Sequence, residues 1–177
     1  WDPDSLDSLK MHADKITHLS PDWLTIEDGY GNLKVTEQEE VKTIAENNKI
    51  VLLPLLRNLG TPDIWLTDAV EGLINGPADR KQKFYQKLLT TLTQMGAGGV
   101  VIDWGLIDPS YRENMTTFLN DLADVFHEKS LELWVCIPVG KEIDVFDLDA
   151  LAEHIDRFVA QLHDENAESD PPGPIAS

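Results

Sequence analysis

The sequence predicts an α/β fold built on a parallel sheet, and three observations carry that reading. Short, almost continuously apolar runs at 50–56 and 100–104 have the character of strands covered on both faces. Longer segments with apolar residues at helical spacing lie between them. Glycine and proline stand at the junctions, as in Asn75-Gly76-Pro77 and Asp108-Pro109.

The elements follow in order. Residues 5–16 read as a helix, capped by Asp4 or Ser5, with Leu6, Leu9, Ala13 and Ile16 on one side. Residues 18–26 are strand-like and broken by Pro21. Residues 28–32, Asp-Gly-Tyr-Gly-Asn, form a turn that joins 24–26 to 33–35 as a small hairpin. Residues 37–47 form a helix whose acidic first turn suits the helix dipole. A strand over 49–56 comes next, then a short helix over 65–74. Pro77 opens a helix that runs to Met95 and stops at Gly96. After the strand at 100–104, Asp108-Pro109 caps a helix carrying the wide apolar face of Met115, Phe118, Leu119, Leu122 and Phe126. A strand over 131–138, a short helix over 147–153 and a last strand over 155–162 complete the pattern. Residues 165–177, rich in Pro, Ser, Asp and Gly, read as a loop or tail after a domain spanning 1–164.

This alternation implies right-handed βαβ units. Both a doubly wound sheet and a (β/α) barrel satisfy it. Either would place a functional site at the carboxyl ends of the strands. That directs attention to Arg57-Asn58, Asp103-Trp104-Gly105, residues 138–140 and residues 163–165.

The formal net charge is −18. So acidic a chain argues against nucleic acid and anionic lipid and favours a neutral or cationic ligand. Cys136 is the single cysteine, so neither an intrachain disulfide nor a cysteine-paired zinc site is expected. The five histidines show no metal-ligand spacing, and no metal or cofactor is expected. No apolar run approaches the roughly 18 residues of a membrane span.

Strand periodicity puts Val101, Asp103 and position 105 on one face and Ile102 and Trp104 on the other. Asp103 is thereby expected to face a ligand, and Trp104 to lie in the core. Trp1 and Trp65, each read as following a strand, are candidate platforms for sugar rings. Asn58 is a candidate hydrogen-bonding group at the mouth.

Residues 98–105, Gly-Gly-Val-Val-Ile-Asp-Trp-Gly, resemble a degraded form of D-x-x-D-x-D-x-E, the signature of family 18 glycoside hydrolases. Residues 1–6, 18–24, 51–58, 158–165 and 170–177 are similar to further segments of bacterial domains of that family. The similarity is strongest for the subgroup that accompanies polysaccharide deacetylase and family 2 glycosyltransferase domains.

The resemblance implies a TIM-type (β/α) barrel, here incomplete, with about five to six βα units in place of eight. It implies an ancestral substrate-assisted hydrolysis of N-acetylglucosaminides, outside the two-carboxylate scheme. In that chemistry a Glu protonates the leaving oxygen, and an Asp two residues earlier stabilises the acetamide. Asp103 matches that Asp, whereas Gly105 replaces the Glu. Val101 replaces the middle Asp, His163 stands where a Tyr is usual, Gln161 where a Met is common, and Asp164 matches. The expected function is a catalytically inactive domain that binds or guides an N-acetylglucosamine-containing polysaccharide through Asp103, Asp164, Asn58, Trp1 and Trp65. Two alternatives stay open: an active hydrolase with an unrecognised acid, and an assembly module without ligand. Neighbouring deacetylase or glycosyltransferase domains, an extracytoplasmic location and a homodimer formed through exposed strand edges are further expectations.

Overall fold

A computed structural model of the chain describes residues 4–162. Trp1, His163, Asp164 and the tail therefore lie outside the described residues. Among these, no helix is long and apolar enough to cross a membrane.

The helices are α1 (Asp4–His12), α2 (Glu39–Asn48), α3 (Thr67–Ile74), α4 (Ala78–Met95), α5 (Arg112–His127) and α6 (Leu148–Leu151). The strands are β1 (His18–Leu19), β2 (Asp22–Ile26), β3 (Leu33–Val35), β4 (Val51–Leu52), β5 (Leu55–Arg57), β6 (Leu59–Gly60), β7 (Ile64–Trp65), β8 (Gly99–Asp103), β9 (Glu132–Ile137) and β10 (Arg157–Ala160). Pro21 and Pro54 divide two longer strands into β1–β2 and β4–β5, since proline supplies no ladder donor. Pairing continues across the breaks: the amides of Leu53 and Leu55 donate to the carbonyls of Leu19 and Pro21.

The main sheet has the order β10-β9-β8-β5-β2-β3. All its pairs are parallel except β2 with β3, the hairpin expected over 24–35. The parallel strands follow one another in chain order without reversal. A doubly wound sheet reverses its order at a switch point, so the winding is that of a barrel. The barrel is open, with β10 at one edge.

The two faces of the sheet differ. Toward the helices, Leu24, Leu56, Ile102, Val135 and Trp104 join one large core with Phe84, Tyr85 and Phe118. On the concave face, Leu53, Val101 and Cys136 form a separate small cluster against Val51, Leu55 and Trp134. Trp104 is 2% exposed and packs on Phe118, as its strand parity requires. Burial and the Asp103 carboxylate push the Cys136 thiol up to about 12, so it remains an unreactive thiol.

Local chemistry sets the boundaries. Gly96 closes α4 in the left-handed region at φ 68°, and Asp108 Oδ1 accepts from the Ser110 amide at 2.8 Å ahead of α5. Two short elements differ from expectation. Residues 59–65 form the antiparallel pair β6–β7, so α3 begins at Thr67 and not at Trp65. A 3-10 segment, Gly140–Val145, precedes α6.

Gly99 pairs with Glu132 so closely that any Cβ there would drive into the backbone of β9. Gly99→Ala should therefore destabilise the chain by about 3 kcal/mol, since overpacking typically costs 1–3 and here the obstacle is rigid backbone. Urea denaturation followed by circular dichroism measures this, and an unchanged midpoint would contradict the packing argument.

Candidate functional site at the carboxyl ends of the strands

Two constructions meet where β2, β5 and β8 end. The first is a polar brace on the concave face. Arg57 and Asp103 are register partners on adjacent parallel strands. Arg57 Nε donates to Asp103 Oδ2 at 3.0 Å, and its Nη1 donates to Asp22 Oδ2 at 3.1 Å. Gln161 Nε2 donates to Asp103 Oδ1 at 2.7 Å. One chain of contacts thus runs from β2 through β5 and β8 to the residue following β10. The Asp103 side chain is only 13% exposed, and both its oxygens have partners. Sequence reading missed Arg57, Asp22 and Gln161 as members of this group. Strand parity places Arg57 and Gln161 on the concave side, whereas Asp22 joins them through the register shift between Asp22 and Leu24 that sets it opposite Leu55.

The second construction surrounds Gly105. Asn58 is fully buried. Its Nδ2 donates to the Gly105 carbonyl and its Oδ1 accepts from the Gly105 amide, both at 3.0 Å. The Asn58 carbonyl in turn accepts from the Leu66 amide at 2.7 Å. This corrects the expectation that Asn58 meets a ligand. Its parity with Leu56 turns it away from the concave face, and its amide is used to latch two loops together. The Trp65 ring lies over Gly105: a Cβ on Gly105 would stand 2.7 Å from Trp65 Cζ3 and 2.8 Å from Cη2. A side chain at 105 can enter only by displacing that ring.

Trp65 is 38% exposed and borders an open groove of about 440 Å³. Ile64, Glu27, Asp28 and Asp68 also line it. The wall formed by the β2–β3 turn is pinned from behind. Arg80 Nη1 donates to the Gly29 and Gly72 carbonyls, and its guanidinium lies over the Tyr30 ring at 4.6 Å. Asp28 accepts from the amides of Tyr30 and Asn32 and from the Asn32 side chain. Burial pushes its pKa up, but these bonds and the Lys87 charge outweigh burial and leave it below the usual carboxylate value. A larger groove, about 630 Å³, lies beside Gly96 and Leu131 at the opposite ends of the strands. The Trp65 groove sits where (β/α) folds place their sites. No group of three His, Cys, Asp or Glu able to hold a metal occurs among the described residues.

The sequence matches no family model and no curated protein. Solved structures do match. The chitinase of Chromobacterium violaceum has a TM-score of 0.89 at 18% identity, over 99% of this chain and 57% of that one. The spore cortex-lytic enzyme SleL of Bacillus megaterium has a TM-score of 0.84 at 18% identity, over 98% of this chain and 40% of that one. Catalytic domain 2 of the Ostrinia furnacalis Group II chitinase, solved with penta-N-acetylchitooctaose, has a TM-score of 0.72 at 18% identity, over 85% of this chain and 43% of that one.

Removing one partner from a part-buried ion pair strands the other charge. Arg57→Met should cost about 2 kcal/mol, and Arg57→Met combined with Asp103→Leu should recover more than half of it. Chemical denaturation of both variants tests this, and simple additivity would deny the brace its coupling. Asp28 gives a pH prediction. Its folded-state pKa is depressed, so its contribution is complete above the ordinary aspartate value of 3.8 and is lost as pH falls through the lower folded value. Asp28→Asn should lower the melting temperature at neutral pH and flatten its fall on acidification.

The described part of the chain is therefore an open (β/α) barrel with the fold of these solved structures, and the chain spans about half of their length.

Proposed function

We propose that this chain is a glycosidase-like domain that binds an N-acetylglucosamine-containing glycan without hydrolysing it. The single observation that supports this most is the Trp65 ring lying over Gly105, in the space that a side chain at that position would need. A substrate-assisted hydrolase of the resembled family needs an acid there, within hydrogen-bond reach of the leaving oxygen. Glycine has no proton to give, and the ring takes the acid's space. Asp103, the matched acetamide-stabilising residue, is held by Arg57 and Gln161. In this reading it marks the floor of the binding site, and Trp65 supplies the apolar surface that a sugar ring stacks on. The fold shared with chitinases, one of them solved with a chito-oligosaccharide, gives the reading its ligand class.

Titration calorimetry with N-acetylglucosamine oligomers of increasing length should give saturable heat. Trp65→Ala should weaken it by about tenfold or more, the effect expected when a central tryptophan is truncated. A parallel assay for new reducing ends should stay at background. Release of reducing ends that disappears in Asp103→Asn would replace this reading with an active hydrolase. No heat at millimolar ligand would leave an assembly module.

A further inference from the structure

The groove beside Trp65 has a one-sided charge. Glu27, Asp28 and Asp68 line it, and no lysine or arginine does. The Glu27 and Asp68 side chains are exposed and make no ion pair or hydrogen bond among the described residues. The nearby cations are committed elsewhere: Arg80 to the Gly29 and Gly72 carbonyls and the Tyr30 ring, and Lys87 to Asn32 and the Gly31 carbonyl. One opposing term is present. The amino end of α3 reaches the groove at Thr67 and Asp68, and Leu66 offers it no side-chain cap. A helix end carries about half a positive charge, against three carboxylates, so the groove stays strongly negative. The Trp65 ring forms its apolar side and is seated on Gly105.

An aromatic face next to unpaired carboxylates suits a sugar ring that carries a cation. A pyranose stacks its C–H face on the indole, and an ammonium substituent pairs with Glu27 or Asp68. We propose that the Trp65 groove recognises the free-amine residues of a partly de-N-acetylated glucosamine polymer in preference to fully N-acetylated ones. This rests on the glycan-binding reading above and narrows it from amino-sugar glycans in general to their cationic residues.

The test is titration of the whole chain at low salt with three trimers of equal length: fully N-acetylated, fully deacetylated, and neutral cellotriose. Trimers limit unspecific adsorption of a polycation to a chain of net charge −18. The deacetylated trimer should bind about tenfold more tightly than the N-acetylated one. That preference should shrink at 0.5 M salt, where the screening length falls to about 4 Å. Glu27→Gln with Asp68→Asn, both surface changes, should abolish the preference and retain binding of the N-acetylated trimer. Trp65→Ala should weaken both amino-sugar trimers.

Equal or tighter binding of the N-acetylated trimer overturns the charge preference and leaves the glycan-binding reading standing. Binding of the deacetylated trimer that ignores Trp65→Ala is adsorption to the acidic surface, and it overturns the site. No binding of any trimer or longer oligomer removes both readings.

Discussion

The amide of Asn58 holds the site together. Its two hydrogen bonds to Gly105 join the end of β5 to the loop leaving β8, across 47 residues of sequence. The Asn58 carbonyl holds Leu66, the residue following the β6–β7 hairpin. Both ends of the contact between Trp65 and Gly105 are therefore fixed by one buried residue, through its side chain at Gly105 and its backbone carbonyl at Leu66. A buried amide must have partners, or it costs the desolvation of each unmet group. Here the two requirements coincide: the backbone of Gly105 needs partners because no described strand pairs with it, and the Asn58 side chain presents both an amino donor and a carbonyl acceptor. The absence of a side chain at 105 lets the indole settle against that backbone.

The brace around Asp103 works differently. Its members are partly open to water, so its coupling is moderated by solvent. Its geometry is nonetheless set by the sheet, since Arg57 and Asp103 face each other by parallel register. An aspartate with both oxygens bonded keeps its position. It is also poorly suited to shifting between partners during a reaction, which a catalytic aspartate next to a mobile acid would do. The brace and the occupied space at Gly105 thus both support the proposed reading, in which this face holds a ligand without cleaving it.

Much of the fold was legible in the sequence. The apolar runs at 50–56 and 100–104, the stop at Gly96 and the Asp108-Pro109 cap each rest on local rules that the structure obeys. Period-2 parity separated Asp103 from Trp104 correctly. The same parity, applied to Asn58, puts it beside Leu56 on the helix side, and so could have found its burial. The choice between barrel and doubly wound sheet depends on strand order, which local periodicity does not contain. The brace was illegible for a related reason. Arg57, Asp103 and Gln161 meet through cross-strand register, and register is a property of pairs of strands. The β6–β7 hairpin was hidden because Ile64 and Trp65 read equally well as the apolar start of the next helix.

The open barrel also explains why its concave face is polar above an apolar floor. A closed barrel fills its interior with layers of side chains drawn from alternate strands. With five parallel strands in the main sheet, the opposite strands that would complete those layers are not among the described elements. The floor residues Leu53, Val101 and Cys136 are nevertheless 0%, 2% and 6% exposed. Around them stand long side chains with polar tips: Arg57, Gln161, Arg157 over the Trp134 ring at 5.0 Å, and His18 against the same ring at 5.3 Å. Such side chains lay their carbon skeletons over apolar ground and turn their polar ends toward one another or toward water. The face so made tolerates solvent, and its fixed positive and negative groups largely satisfy one another. Among the described residues, Glu27 and Asp68 at the rim beside Trp65 have no charged partner, and in the proposed reading the ligand supplies one.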